Sequence, residues 1–444
     1  MKVKHFQFSP IQCLTLFCII FVPYIYVHQG GGWNQNSRLD VLHSLWNHGT
    51  VSIDTYHRNT GDKALFEGHY YSTKAPGIVF MGLPAFVGSA HLLQKLGYSI
   101  DEKIGWRYSH WITVAGSVAL LAAVGGVALF FLLSTFVSAR SALVTTLAIY
   151  LGSIPFPYGT AFFSHAAVTG LLSIALWSAL LWKDRNHDLL AGMACGFAVA
   201  SEYPAIFVVL GLLVFIASKS LRRALFICLG ALPAALLVLG HSSAVFGSPF
   251  VTGYSYTVHA SAKNGLLNMP DLSAIPLLLF SPSKGLFFWT PVSLLSLLGY
   301  YVMHDRDRSL RLLTIFVPVV YLLFIISFAN PGGGFTIGPR YFGPILPFLA
   351  IPIAFGVQKL PRFGTLLAAL SIILTGAGTL VTATPPSSVK HLLVEYYLPK
   401  IWSARYAINL GKLFGLEGHW SVLPLLILVI VLSVFLWRSL PKHS

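Results

Sequence analysis

Long apolar runs are the feature that most constrains this chain. They recur at 11–27, 76–97, 108–135, 141–156, 163–182, 188–201, 203–218, 222–245, 274–303, 311–328, 341–358, 363–382 and 421–437. A helix needs roughly 20 apolar residues to cross a bilayer, and lipid accepts only backbones whose hydrogen bonds are satisfied internally. Charged residues make up only 10% of the chain, which argues against a soluble enzyme, a disordered chain or a nucleic-acid binder. The runs predict an all-α, polytopic membrane bundle.

The distribution of Lys and Arg predicts the orientation of these spans. The net charge is +15, and basic residues concentrate in cytoplasmic loops of membrane proteins. The basic clusters can all be cytoplasmic if 76–97, which is broken by Pro76 and Pro84, is a re-entrant or interfacial helix on the outer side. These clusters are Lys183/Arg185, Lys219/Arg222/Arg223, Arg306/Arg308/Arg311, Lys359/Arg362 and Arg438/Lys442.

The same scheme gives a single domain over 1–444. The run 274–303 counts as one span, about 288–303, preceded by a segment that dips partly into the membrane. The result is about twelve spans, an uncleaved first span and two cytoplasmic termini. Long outer segments then cover 28–107, 246–287 and 383–420. Because the inner loops are short, we expect the functional site on the outer face.

The first outer segment is dense in ionisable side chains. Asp40, Asp54, Asp62 and Glu67 fall close together, and Tyr71 and Lys74 close the segment. An apolar stripe after Arg38 predicts an amphipathic helix on the membrane surface, with Asp40 projecting near the bilayer boundary. This density favours a site, and the alternative is a solvated loop.

Further polar residues stand at the predicted outer ends of spans, where a pocket between helices would gather them. They are His165, Glu202, Tyr254, Lys284 and Arg340. Arg340 could clamp a phosphate through its planar fork of donors. The alternatives to a binding site are that Glu202 is solvated and that the basic side chains extend to lipid headgroups.

Several familiar motifs are absent from the sequence. There is no GxxxxGK[ST], no GxGxxG after a strand, no HExxH and no GxSxG. We therefore expect no nucleotide cofactor. The four cysteines lie in apolar runs without a CxxC pair, so neither a disulfide framework nor a zinc site is expected.

The chain resembles GT-C-type polytopic membrane glycosyltransferases, the group that includes protein O-mannosyltransferases and lipid A aminoarabinose transferases. An acid directly after the first span, here Asp40, carries the likeness. So does the element Tyr71-Ser72-Thr73-Lys74-Ala75-Pro76, which closes the first outer loop. Polar residues at outer span ends, including Gly338-Pro339-Arg340-Tyr341, complete it. One departure is His165, which stands where the family often has a second acid.

The resemblance implies transfer of a sugar from a polyprenyl-phosphate donor to a lipid, glycan or protein acceptor outside the bacterial inner membrane. It implies that Asp40 is the general base, and that Asp40 and His165 are the ligands if a divalent metal, Mg²⁺ or Mn²⁺, takes part. Lys74 and Arg340 would stabilise the leaving phosphate. The full set of expected substrate contacts is Arg38, Asp54, Asp62, Tyr71, Lys74, Glu202, Tyr254, Lys284 and Arg340.

Two other functions remain open at this point. A transporter or flippase of a lipid-linked or anionic substrate would show inverted repeats and ionisable residues at mid-bilayer, and the sequence shows neither pattern. A non-catalytic envelope-assembly factor would not need so many acids in one polar loop. We also predict that Asp40, His165, Glu202 and Arg340 approach one another beside a groove open to lipid.

Overall fold

The computed structural model describes residues 8–258, 267–304 and 308–441, so the predicted inner residues Arg306 and Lys442 lie outside the described part. The α-helices are α1 Pro10–Tyr26, α2 Trp33–His48, α3 Gly77–Lys95, α4 Lys103–Val114, α5 Leu120–Ser134, α6 Ala139–Tyr150, α7 Pro155–Gly159, α8 His165–Leu181, α9 Arg185–Ser201, α10 Ala205–Ala217, α11 Leu221–Phe246, α12 Ala274–Phe280, α13 Leu286–Trp289, α14 Leu295–Val302, α15 Arg308–Ile325, α16 Leu346–Lys359, α17 Pro361–Val381, α18 Leu398–Trp402, α19 Leu410–Leu413 and α20 Leu423–Ser439. The strands are β1 Val27–His28, β2 Lys63–Phe66, β3 His69–Ser72 and β4 Ile408–Asn409.

The chain is a polytopic helical membrane protein, as its apolar runs predict. Within the described residues, 6 helices are long and apolar enough to cross a membrane: Gly77–Lys95, Lys103–Ser134, Leu221–Phe246, Arg308–Ile325, Arg340–Lys359 and Pro361–Val381. Shorter apolar helices occupy Pro10–Tyr26, His165–Leu181, Ala205–Ala217, Pro291–Val302 and Leu423–Ser439. Each predicted run contains a helix. The run 274–303 is indeed broken, because its backbone leaves the helix between α12 and α13.

Local signals in the sequence explain where helices begin. Ser9 starts α1 with a capping box, in which its hydroxyl accepts from the Gln12 amide and its own amide donates to the Gln12 side chain. Ser138 caps α6 through its hydroxyl, which accepts a hydrogen bond from the Ser141 amide. A stretch of π-helix over Ala115–Ala119 joins α4 to α5, so the two form one continuous element, Lys103–Ser134.

Small residues let the helices pack closely. A Cβ on Gly125 of α5 would lie 2.2 Å from the Cα of Gly170 in α8, so only glycine permits this approach. The α9–α11 pair is equally close, since a Cβ on Gly192 would lie 2.0 Å from the carbonyl oxygen of Ile227. Close backbone approach is a usual source of stability between helices in lipid, where no hydrophobic force drives them together.

The three long loop segments meet at one end of the bundle, which we call the loop face. The antiparallel pair β1–β4 joins Val27 to Asn409 and thus the first segment to the last. Ala64 in the β2–β3 hairpin bridges to Thr257, which joins the first segment to the second. The predicted outer segments therefore form one surface.

Helix α3 runs through the region predicted to be re-entrant. It is continuous despite Pro84, and its length and composition alone would let it cross a membrane. Its contacts, however, lie at the loop face. Gly77 packs against the backbone of Ala200 at the end of α9, and Ala85 packs against Gly116 in the π-helical stretch between α4 and α5. These contacts favour a helix lying along one end of the bundle.

Candidate active site

A buried hydrogen-bonded chain links α2 to the ends of α8 and α9. Arg38 is 4% exposed, and its guanidinium donates to Ser164 Oγ at 3.1 Å. Ser164 in turn donates to Glu202 Oε1 at 2.9 Å. His165 Nδ1 contacts the same carboxylate oxygen. These hydrogen bonds and contacts therefore join Arg38, His165 and Glu202, three of the residues singled out from the sequence.

An ion pair forms where the β2–β3 hairpin opens. The hairpin register pairs Lys63 with Ser72, and just outside it the Thr73 amide donates to the Asp62 carbonyl at 3.3 Å. The next residue, Lys74, is thereby held beside Asp62. Lys74 Nζ lies 3.1 Å from Asp62 Oδ2, with the side chains 11% and 23% exposed. Tyr254, from the second loop segment, lies beneath the ammonium at 5.5 Å from its ring centroid. Three predicted residues are thus in direct contact.

Arg340 reaches the same region from the loop before α16. Its guanidinium donates to the Tyr341 hydroxyl at 3.3 Å, and its Nε has no hydrogen-bond partner. Among the described residues, no carboxylate forms an ion pair with Arg340. This half-buried cation therefore keeps donors available for an anionic ligand.

The charges of these residues act on one another. Burial lowers the pKa of Arg38, and the nearby charge of Arg340 adds to that effect. Tyr254, Glu202 and Asp62 oppose it. Asp62 also acts electrostatically on Arg340. One partly exposed carboxylate therefore lies within electrostatic reach of Arg38, Lys74 and Arg340, and we call these four residues the Asp62 cluster.

Lys284, which the sequence predicts to be a substrate contact, has its ammonium bound within the protein. Its ammonium donates to the Gly334 carbonyl at 2.6 Å, to the Thr336 carbonyl at 2.8 Å and to Thr336 Oγ1 at 2.5 Å. Burial, together with Arg340, lowers the pKa of Lys284 to about 7. All three donors are used within the protein, so Lys284 fixes the glycine-rich loop that precedes Arg340.

Asp40 lies in a separate network from the Asp62 cluster. It is 0% exposed and accepts a hydrogen bond from Asn59 at 2.9 Å, while its Oδ2 has no partner. Burial raises the pKa of Asp40 to about 7, and the Asn59 hydrogen bond and Lys63 oppose that rise. The expectation that Asp40 projects from a surface helix is wrong, because α2 is enclosed on both faces.

Asp54 and Tyr71 belong to the scaffold around the site. Asp54 accepts from His69 Nδ1 at 2.7 Å and from the Tyr70 amide at 2.6 Å, which pins the β2–β3 hairpin. Partial burial alone would raise the pKa of Asp54, but hydrogen bonds with Ser52, Tyr70 and His69 lower it. Tyr71 packs edge-on against Phe246 at 5.9 Å. Neither residue contacts the Asp62 cluster in the described contacts.

The two residues expected to bind a metal do not share a ligand set. His165 contacts Glu202, whereas Asp40 contacts Asn59. Among the described residues, no group of three or more His, Cys, Asp and Glu side chains is arranged to hold a metal ion.

Sequence inspection missed Ser164, which connects Arg38 to Glu202. A serine next to a polar span end carries little signal on its own. Its position directly before His165 was the available clue, because both residues sit at the start of α8.

Comparisons with known proteins return structural neighbours only. No family model and no curated protein matches the chain. The chain is similar to the crystal structure of ArnT from Cupriavidus metallidurans bound to undecaprenyl phosphate, with a TM-score of 0.49 and 16% identity over 97% of this chain and 72% of that one. The apo structure gives 0.49 and 15% over 96% and 74%. At this level of likeness, the functional argument rests on the site's own residues.

Proposed function

We propose that the chain is a GT-C-type glycosyltransferase that moves a sugar from a polyprenyl-phosphate donor to an acceptor hydroxyl at the outer face of the cytoplasmic membrane. The observation that carries the proposal is the Asp62 cluster. In it, one partly exposed carboxylate pairs with Lys74 and lies within electrostatic reach of Arg38 and Arg340. The family resemblance of the sequence motifs supports the same reading.

The cations suit a phosphate leaving group. When the glycosidic bond breaks, negative charge develops on the phosphate oxygen that leaves with the polyprenyl chain. Positioned cations stabilise such charge best where water is scarce. Arg38 and Arg340 offer planar guanidinium donors, which match phosphate geometry. Lys74 is a point charge already paired with Asp62.

The carboxylate suits activation of the acceptor. The acceptor oxygen bonds to the anomeric carbon as the bond from that carbon to the phosphate oxygen breaks. The hydroxyl proton passes to the carboxylate, and the bonding electrons leave with polyprenyl phosphate. We assign this general-base role to Asp62, because its side chain is partly exposed.

Asp40 is the second candidate for the base. A pKa near 7 is suited to proton transfer at neutral pH. Asp40 would have to become accessible to the acceptor, because its side chain is fully buried in this conformation. The two assignments therefore make opposite predictions for the two carboxylates.

The test is release of polyprenyl phosphate from a panel of radiolabelled polyprenyl-phosphate sugars. Purified protein in lipid would be supplied with a crude envelope acceptor. Loss of a general base costs about 10²–10⁴-fold in rate. We expect Asp62→Asn to show that loss, and Asp40→Asn to retain release within about ten-fold. Glu395→Gln, an exposed acid elsewhere at the loop face, is the matched control and should behave as wild type.

Other outcomes would redirect the proposal. If Asp40→Asn loses release and Asp62→Asn does not, the base is Asp40. If wild type translocates a lipid-linked sugar without releasing polyprenyl phosphate, the protein is a flippase. If both substituted proteins restore envelope assembly in cells as wild type does, a non-catalytic assembly role is favoured.

A further inference from the structure

A polar cavity of about 430 Å³ lies beside the first loop segment and apart from the Asp62 cluster. The start of the first segment forms one wall, from His28 to Gly31. Helix α4 forms another, and the residues next to β4 close it together with Val381 and Thr382. The volume falls within the range of small-molecule sites. No acidic residue stands among the described residues that line it.

One face of α4 presents cationic and aromatic side chains to this cavity. Lys103, Trp106, Arg107 and His110 all line it, and they follow the spacing of a single helix face. Neither Lys103 nor Arg107 forms an ion pair within the described part of the chain. Two acids precede Lys103: Asp101 is held by Asn47 and Tyr56, and Glu102 forms no ion pair among the described residues.

His28 supplies a buried polar group to the same cavity. It is 6% exposed, stacks on Trp111 with ring centroids 5.1 Å apart, and its Nδ1 has no hydrogen-bond partner. Burial and the neighbouring Arg107 lower the pKa of His28 to about 4, so it is neutral at pH 7. A buried imidazole nitrogen without a partner costs free energy unless a ligand or water satisfies it. The imidazole of His110 is already bonded to His43 at 2.9 Å.

We propose that this cavity binds a phosphate-bearing group through Lys103, Arg107 and His28, as a second anion site of the protein. Paired cations at one wall favour phosphate over neutral ligands, and Arg107 can offer two parallel donors. Gly31 leaves open space beside the first-segment wall, since a Cβ there would meet nothing within 4 Å, whereas a Cβ at Gly30 would lie 3.5 Å from His28 Nε2. The segment Gly30–Gly32 leads into α2 and separates this site from Arg38.

The phosphate group could belong to a membrane phospholipid or to a soluble ligand. The chemistry of recognition is the same for both, so the experiment has two arms. In the first, radiolabelled inorganic phosphate is measured by equilibrium dialysis against protein in a phosphate-free detergent. In the second, retention of phosphatidylglycerol is compared with that of phosphatidylcholine by native mass spectrometry.

The decisive variant is Lys103→Gln/Arg107→Gln. In the wild-type protein the Lys103 side chain is exposed and the Arg107 side chain is half-buried. We expect at least about ten-fold weaker binding of the probe that wild type binds, since charged hydrogen bonds are lost. His28→Phe keeps the ring that stacks on Trp111 and removes the nitrogens, so it should weaken binding as well. If the double variant does not fold, His28→Phe replaces it as the variant that tests the proposal.

The matched control is Lys390→Gln/Arg405→Gln, which removes the same charge from exposed positions at the loop face. It should bind the probes as wild type does. Lys103→Gln/Arg107→Gln should still release polyprenyl phosphate as wild type does, which separates this site from the proposed catalytic function. Binding of phosphatidylglycerol alone would identify the source as a lipid headgroup. If wild type binds neither probe, or the double variant binds as well as wild type, the proposal is overturned.

Discussion

Arg38 and Asp40 lie two residues apart on α2 and enter different networks. Arg38 donates to Ser164 at 3.1 Å, whereas Asp40 accepts from Asn59 at 2.9 Å. Successive residues of an α-helix are rotated by about 100° around its axis, so side chains two positions apart point in nearly opposite directions. When Arg38 faces the ends of α8 and α9, Asp40 must face the loop that carries Asn59. This geometry separates the buried acid from the Asp62 cluster.

Ser164→Ala should impair catalysis more than folding. The substitution removes the hydroxyl between Arg38 and Glu202, so both charged groups lose a partner. We expect roughly ten-fold slower polyprenyl-phosphate release and a loss of stability of about 1–3 kcal/mol. Ser173→Ala is the matched control, because Ser173 is also buried on α8 and bonds to Tyr150 at 2.8 Å. Equal activity of the two variants would contradict a role for Ser164 in the site.

Lys284→Met should loosen the loop that positions Arg340. The change removes three hydrogen bonds and leaves the carbonyls of Gly334 and Thr336 without their partner. We expect a loss of roughly 2–4 kcal/mol, visible as a lower Tm in detergent, and reduced transfer. Lys390→Met, at an exposed position, should leave both unchanged. A Lys284→Met protein with wild-type Tm and activity would exclude the positioning role.

Asp40 should make the stability of the protein depend on pH. Its pKa is about 7 in the folded protein and 3.8 in the unfolded reference. The folded state therefore holds a proton that the unfolded state releases, and stability falls as the pH rises from about 4 to about 7. The difference amounts to roughly 4 kcal/mol. Asp40→Asn should flatten this part of the Tm–pH curve, and an unchanged curve would show that Asp40 does not titrate in this range.

Both ends of α3 should be accessible from the same side of the membrane. In a background without the four free cysteines, Arg58→Cys and Tyr98→Cys should react with a membrane-impermeant maleimide from one side. Arg222→Cys, at the start of α11, should react only from the other side. If Tyr98→Cys reacts from the side of Arg222→Cys, then α3 crosses the membrane.

Much of the fold could be predicted because apolar runs are local. Each run contains a helix, and the break near Ser281–Gly285 appears where proline and glycine interrupt the pattern. The re-entrant placement of 76–97 stays a prediction, because Pro84 sits inside a continuous helix that is long and apolar enough to cross a membrane. Neighbouring helices hold α3 in place, and sequence alone carries no record of those contacts.

The candidate site was predictable only in part. Polar residues at the ends of spans pointed to His165, Glu202 and Arg340, and the structure joins the first two directly. The density of acids in the first loop indicates a site near Asp40. The number of acids in a stretch of sequence, however, does not distinguish a buried carboxyl group from an accessible one. Lys284 looked like a free cation because its partners lie 50 and 52 residues away.

The sequence by itself determined a helical membrane protein with its ionisable residues gathered in loops, because hydrophobicity and helix formation act over neighbouring residues. Only the tertiary structure decided which of those residues meet. Asp62 pairs with Lys74 because the β2–β3 hairpin places Thr73 opposite Asp62 and so holds Lys74 beside it. Arg38 reaches Ser164 because α2 packs against the bundle. Such contacts depend on the relative placement of distant segments, which no local pattern encodes.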